Sequence, residues 1–219
     1  SSSSMIAASN IHYHNVLGRR PPVPTPPVAP KLNIVEGNVS NAHLDMQPER
    51  PSPIPHTLMF TYSHDILETK VPILLYNNVR RTIEAYRDAW SEPNATVLFL
   101  DDAMCRAAIL EAHPPLVPHF DAEEEGKFRA DVCRVAALYL HGGYYFDVDL
   151  RVLNPVAPPL LSRGETFVTA LERAQKNFFQ AFLASAPRQE ILMESMRMIL
   201  AHYEGKHAVR HKKIGPSTL

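Results

Sequence analysis

Two aspartates separated by one residue, in Asp147-Val148-Asp149, follow the aromatic run Tyr144-Tyr145-Phe146. Strand side chains alternate faces with period two, so on a continuing strand both carboxylates point the same way while Val148 enters the sheet. Two like charges held side by side on a buried strand are costly unless a cation neutralises them. Carboxylate oxygens suit hard divalent ions such as Mg²⁺ or Mn²⁺. A metal held there would match a diphosphate, bridging its oxygens and stabilising the charge that develops as it departs. Isolated DxD triplets are also common on solvated surfaces, so the surrounding residues decide the meaning.

Upstream, Asp131 and Arg134 lie three residues apart in a helical stretch and share a face. An ordinary surface ion pair, with Lys127 one turn earlier, is the bland alternative. The functional alternative has this face looking over the crevice that holds the DxD carboxylates, where both side chains could hydrogen-bond a polyhydroxylated ligand. Open α/β sheets bind ligands beyond the carboxyl ends of their strands.

The elements that must position these residues are legible as an α/β alternation from Ile54 onward. Thr57–Tyr62 and Ala95–Leu100 read as buried strands, and Val79–Trp90 as an amphipathic helix. Asp101-Asp102 marks the start of a further helix. Asp121–Leu140 reads as one helix, with Asp121 and Glu124 resembling a capping box and Phe128, Val132, Val135 and Tyr139 forming its apolar stripe. His141-Gly142-Gly143 stops it, and Tyr144–Leu150 returns as a strand carrying the DxD. Glu165–Leu171 reads as another strand, and Arg188–Tyr203 as a helix whose Met-rich stripe faces the core.

Half of the 20 prolines precede residue 56. Residues 1–53 therefore read as a disordered tail or stem, since Pro lacks the amide donor that helices and ladders need; residues 54–219 read as the catalytic domain. The chain of 219 residues balances 22 Lys+Arg against 23 Asp+Glu, which speaks against a nucleic-acid partner. It contains no apolar run long enough to cross a bilayer. Two cysteines make neither a disulfide framework nor a zinc quartet, and Cys133 reads as a packed thiol. The basic cluster Lys206–Lys213 reads as a solvated helix end or, before Gly215-Pro216, as a diphosphate contact.

The stretch from Lys127 to Leu150 resembles the signature of the glycosyltransferases with a DXD-containing sugar-binding region, a group that includes fungal α-1,6-mannosyltransferases and bacterial capsular-polysaccharide transferases. Ala130-Asp131, Arg134, Leu138-Tyr139, Gly142-Gly143, Tyr145 and Asp147-Val148-Asp149 all match. Weaker similarity covers Tyr62, in the place of a family Trp, the run Val97–Cys105, Asn177–Pro187 and Gly215-Pro216.

The resemblance implies a GT-A-like nucleotide-sugar-binding sandwich with a mostly parallel central sheet. It implies a Mn²⁺ or Mg²⁺ ion on Asp149 and Asp147, the catalytic pair, with Asp147 holding the ribose or a metal-bound water. Asp131 and Arg134 would contact the donor sugar, Tyr145 would line the donor pocket, and Tyr62 would face the base. A UDP- or GDP-hexose donor, a glycan, glycoprotein or glycolipid acceptor and a retaining transfer follow from the same resemblance. So does a Golgi or secretory-pathway lumen, with membrane attachment only through an anchor not present in this chain. The family pattern continues beyond the Gly-Pro loop with a segment that completes the acceptor side. A chain stopping at Leu219 could thus be a sugar-nucleotide-binding remnant, while a DxD phosphohydrolase is disfavoured because its motif belongs on the first strand.

Overall fold

Buried strands with both faces covered read as nearly continuous apolar runs, and Leu58-Met59-Phe60 is such a run. Its alternate side chains enter two separate cores, Leu58 and Phe60 one, Met59 the other. The computed structural model describes residues 5–7, 53–155, 164–172 and 177–206. Six strands form one sheet: β1 (Met5–Ala7), β2 (Thr57–Thr61), β3 (Thr96–Leu100), β4 (Gly143–Phe146), β5 (Phe167–Glu172) and β6 (Asn177–Ser185), in the order β1-β5-β6-β4-β2-β3. The pairs β1–β5, β2–β3 and β2–β4 are parallel, and β6 is antiparallel to both β4 and β5. Every strand but β6 thus runs one way, the mostly parallel α/β sheet that the sequence predicts.

Among the described residues six α-helices cover it: α1 (Ile66–Thr69), α2 (Ile73–Trp90), α3 (Asp102–Ala112), α4 (Val117–Ala122), α5 (Gly126–His141) and α6 (Glu190–Tyr203). Helix α2 packs Val79, Ile83, Tyr86 and Trp90 against Phe60, Tyr144, Phe146 and Phe182 on one face. On the other, α3, α5 and α6 bury Ile109, Val132, Val135, Leu192 and Met196 around Met59, Tyr145 and Leu183. Helix α2 begins six residues earlier than its apolar stripe suggests, because Ile73 and Leu74 are exposed and leave no inward-facing periodicity.

Three expectations are corrected. The single helix expected over Asp121–Leu140 is two, α4 and α5. The Asp121 carboxylate is taken by Arg106 at 2.9 Å instead of capping, and the Glu123 side chain accepts from the Glu125 amide to form a local turn ahead of Gly126. Strand β4 ends at Phe146, so the DxD is not on the strand. Asp147 keeps one amide bond to β6, and from there the chain bends away in a turn closed by the Leu150 amide donating to the Asp147 carbonyl at 3.0 Å. Val148 is still buried, through the turn and not through strand alternation.

The third correction is Cys133, which is a disulfide partner: Cys105 of α3 and Cys133 of α5 are bonded, both fully buried. The bond closes a loop across 28 residues and fixes α5 to α3. Replacing both cysteines by Ala is expected to cost about 3–4 kcal/mol of unfolding free energy in chemical denaturation, from the loop entropy returned to the unfolded chain. A loss below about 1 kcal/mol would mean that packing alone holds the two helices together.

Close backbone approach sets the register of β4. Gly143 has φ 117°, and a Cβ there would lie 2.5 Å from the Thr57 carbonyl oxygen. Only glycine lets β4 run this close to β2.

Candidate active site

Parallel strands gather their carboxyl ends along one edge of a sheet. Here that edge carries Thr61 and Tyr62 after β2, Asp101 and Asp102 after β3, and Asp147 after β4. Asp101 accepts from the Met104 amide and starts α3, as its sequence suggests. A cleft of about 550 Å³ opens there, lined by Tyr62 and Ser63, by Asp102 and Cys105 of α3, by Arg129 and Arg134 of α5, and by Tyr145, Asp147 and Asp149.

Arg134 is the hub. It is 5% exposed, and its Nη2 lies 2.9 Å from Asp131 Oδ1 and 3.2 Å from Asp147 Oδ1. Its Nη1 donates to the Gln180 carbonyl at 2.7 Å, and its Nε to the Ala130 carbonyl at 3.3 Å. The guanidinium carbon stands 4.9 Å from the centre of the Tyr145 ring, and the Tyr145 hydroxyl donates to Asp147 Oδ1 at 2.7 Å. Finally, the Asp147 amide donates to the Ala181 carbonyl at 2.9 Å. Asp147 is therefore fixed at its backbone by β6 and at one carboxylate oxygen by Arg134 and Tyr145. Oδ2 has no protein partner among the described residues.

Electrostatics follow from this crowding. Burial pushes the Asp131 carboxyl up to about 6, against the pull of Arg134 and with a further push from Asp147. Asp149 is also raised, first by desolvation and then by the neighbouring Asp147 charge. For Arg134 burial works toward loss of the proton, but the carboxylates, Asp147 foremost, more than offset it and raise the guanidinium. Burial drives the Tyr145 hydroxyl well above its ordinary range, keeping it a hydrogen-bond donor.

A carboxyl whose folded pKa exceeds its unfolded value favours folding while protonated. That advantage is lost as pH rises through the window between the two values. For Asp131 the window runs from about 4 to about 6. Relative to Asp131→Asn, the wild-type protein is expected to lose on the order of 2 kcal/mol of stability between pH 4 and pH 7. Denaturation at a series of pH values checks this. A flat difference would place Asp131 in a fully compensated ion pair.

The structure brings Arg134, Tyr145, Asp147, Asp149 and Tyr62 to one cleft. Asp131 stands behind Arg134 and does not line it. Lys127 does not offer the alternative partner for Asp131, because it pairs with Glu125 at 3.1 Å. Arg129 was not legible as a site residue: its partner Asp102, at 3.0 Å, lies 27 residues away on another helix. Residues 207–219, which include most of the basic cluster and the Gly215-Pro216 loop of the sequence resemblance, lie outside the described residues, as does the Asn177 side chain.

The donor set suits a hard cation. Asp131, Asp147 and Asp149 face one arginine, while Arg129 and Lys127 are engaged by Asp102 and Glu125. The DxD turn therefore carries surplus negative charge. Among the described residues no cluster of three or more His, Cys, Asp or Glu side chains could hold a metal. Two carboxylates with the remaining positions left to phosphate oxygens and water is a common arrangement for Mg²⁺-type ions.

Residues 76–167 match the family described as "Glycosyltransferase sugar-binding region containing DXD motif". Over 113 residues the chain is 31% identical to inositol phosphoceramide mannosyltransferase 2 of Schizosaccharomyces pombe, covering 48% of this chain and 32% of that protein. The chain thus spans about a third of the length of the curated relative it matches. Among solved structures, one described as PaToxG glycosyltransferase superposes with a TM-score of 0.49 at 15% identity, over 75% of this chain and 67% of that one.

Proposed function

We propose, for a chain whose residues 76–167 carry the sugar-binding region of the DXD glycosyltransferases, a metal-dependent hexosyltransferase. It would move a hexose from a UDP- or GDP-sugar to a glycan or glycolipid hydroxyl, with retention of anomeric configuration. The observation that carries this reading is the junction of Arg134, Asp131, Tyr145 and Asp147, drawn from α5 and the end of β4 into one buried network at the cleft.

Each residue has a role under this reading. Asp149 and Asp147 would hold Mn²⁺ or Mg²⁺, which would supply charge stabilisation for the departing diphosphate. Tyr145 and Arg134 keep the Asp147 carboxylate in one orientation, so little reorganisation is needed when donor binds. Arg134 lines the cleft and would turn to the sugar hydroxyls the one Nη1 N–H that its protein contacts leave over, with Asp131 holding it in place. Tyr62, at the cleft margin beside His64, offers a ring face to the base. The buried disulfide supports a working compartment that is oxidising, as the secretory lumen is.

Titrating UDP- and GDP-hexoses calorimetrically, with and without Mn²⁺, tests the proposal. Binding of one donor class is expected only with metal. Silence toward every nucleotide sugar in the presence of Mn²⁺ would remove it.

A further inference from the structure

Among the described residues most large apolar side chains are covered; of the exposed ones, three cluster at one bend while Met104, Leu110 and Leu153 stand apart from it in sequence. Val71, Ile73 and Leu74 are exposed by 61%, 58% and 61%, flanking Pro72 between α1 and the first turn of α2. Contiguous exposed apolar residues on a water-soluble surface usually mark a contact with a partner or a membrane.

This bend is tied to the mouth of the cleft. His64 donates from Nε2 to the Val71 carbonyl at 3.0 Å. The other nitrogen of its ring lies 3.3 Å from the Ser63 hydroxyl, and the ring meets Tyr62 edge-on at 5.1 Å. Tyr62 and Ser63 line the cleft. Whatever seats on Val71, Ile73 and Leu74 is therefore held beside the opening.

Charge around the bend narrows the choice of occupant. Lys70 immediately precedes it, and Arg81 lies seven residues after Leu74, hence on the same stripe of α2. Both are exposed. Among the described residues neither forms an ion pair; the nearby acid Glu84 is held by Arg80, and Glu68 is exposed one turn away. Apolar side chains flanked by unpaired basic ones fit an anionic lipid surface: the former enter the headgroup boundary, the latter meet the phosphates.

We propose that Val71, Ile73 and Leu74, with Lys70 and Arg81, seat the cleft mouth on an anionic lipid bilayer, so that the acceptor hydroxyl is presented by a membrane lipid. The second clause rests on the glycosyltransferase reading; the docking itself does not.

The experiment is co-sedimentation with phosphatidylcholine vesicles, with and without phosphatidylserine. Wild-type protein is expected to pellet with the mixed vesicles and to be released by salt. The double variant Ile73→Glu/Leu74→Glu should bind about tenfold more weakly or worse, with an unchanged melting temperature because both side chains are already in water. Lys70→Glu/Arg81→Glu should remove the preference for phosphatidylserine. Equal pelleting of wild type and the Ile73/Leu74 variant, or no pelleting of wild type, overturns the proposal. So does a concentration-dependent dimer in sedimentation velocity that the same variant dissolves, since the patch would then belong to a second copy. Donor titration on this variant should match wild type; failure of donor binding in both proteins would sink the transferase reading while leaving the vesicle result standing.

Discussion

Asp149→Asn is expected to lower metal-dependent affinity for a nucleotide sugar by about 100-fold or more, with no loss of folding stability. Asn keeps the shape of Asp but gives up the charge, which is the property a hard cation requires. Stability should hold or rise slightly. Asp149 sits raised above its ordinary pKa by partial desolvation and by Asp147, so its ionised form is already unfavourable in the folded protein. A residue that works against folding and is repaid only when a cation binds is what a metal ligand looks like in isolation. Calorimetric titration of the donor with Mn²⁺, alongside thermal unfolding, reads both effects. Unchanged donor affinity in the variant would move the metal away from this turn.

Arg134→Ala produces the other large effect, and its first consequence is structural. The substitution leaves Asp131 and Asp147 without their shared cation in a buried site, and leaves the Gln180 carbonyl without its donor. Breaking a buried pair from one side costs about 3–5 kcal/mol. Arg134→Lys should recover only part of this, because one ammonium cannot reach Asp131, Asp147 and Gln180 together as the planar guanidinium does. Adding Asp131→Asn to Arg134→Ala should return about 1–2 kcal/mol, since one of the stranded charges is then absent. Chemical denaturation of these variants together with Asp131→Asn alone measures this coupling. Additive losses would show that Asp131 and Arg134 do not share an interaction. In the folded Arg134→Lys protein, affinity for the nucleotide sugar should fall further than affinity for the free nucleotide; equal losses would place Arg134 away from the sugar.

Local pattern carried much of this architecture. The apolar runs of β2 and β3, the Asp101 start of α3 and the core stripe of α6 are written in nearest-neighbour spacing, and the structure follows them. The DxD and the Asp131/Arg134 spacing were legible too, because helical periodicity alone puts those two side chains on one face. What escaped depended on residues far apart in sequence. The Cys105–Cys133 bond exists because α3 and α5 pack side by side, a tertiary outcome that two isolated cysteines do not announce. Asp121 looked like a helix cap until Arg106 claimed it. The DxD looked like strand because aromatic residues run up to it, whereas the last sheet position is Phe146 and the acids turn away toward the cleft.

Strand β6, the one that opposes its neighbours, has a consequence for any attempt to dissect or hybridise the protein. Its carbonyls at Gln180 and Ala181 are the fixed points on which Arg134 and the Asp147 amide hang, yet they lie past residue 167, where the matched family segment stops. An excised or transplanted segment ending there would carry the whole Lys127–Leu150 signature yet lack the two strand carbonyls that anchor Arg134 and Asp147. Chimeras with similar chains should therefore place their downstream junction after Ser185, and under the proposed function those joined earlier should lose donor recognition even when every motif is intact.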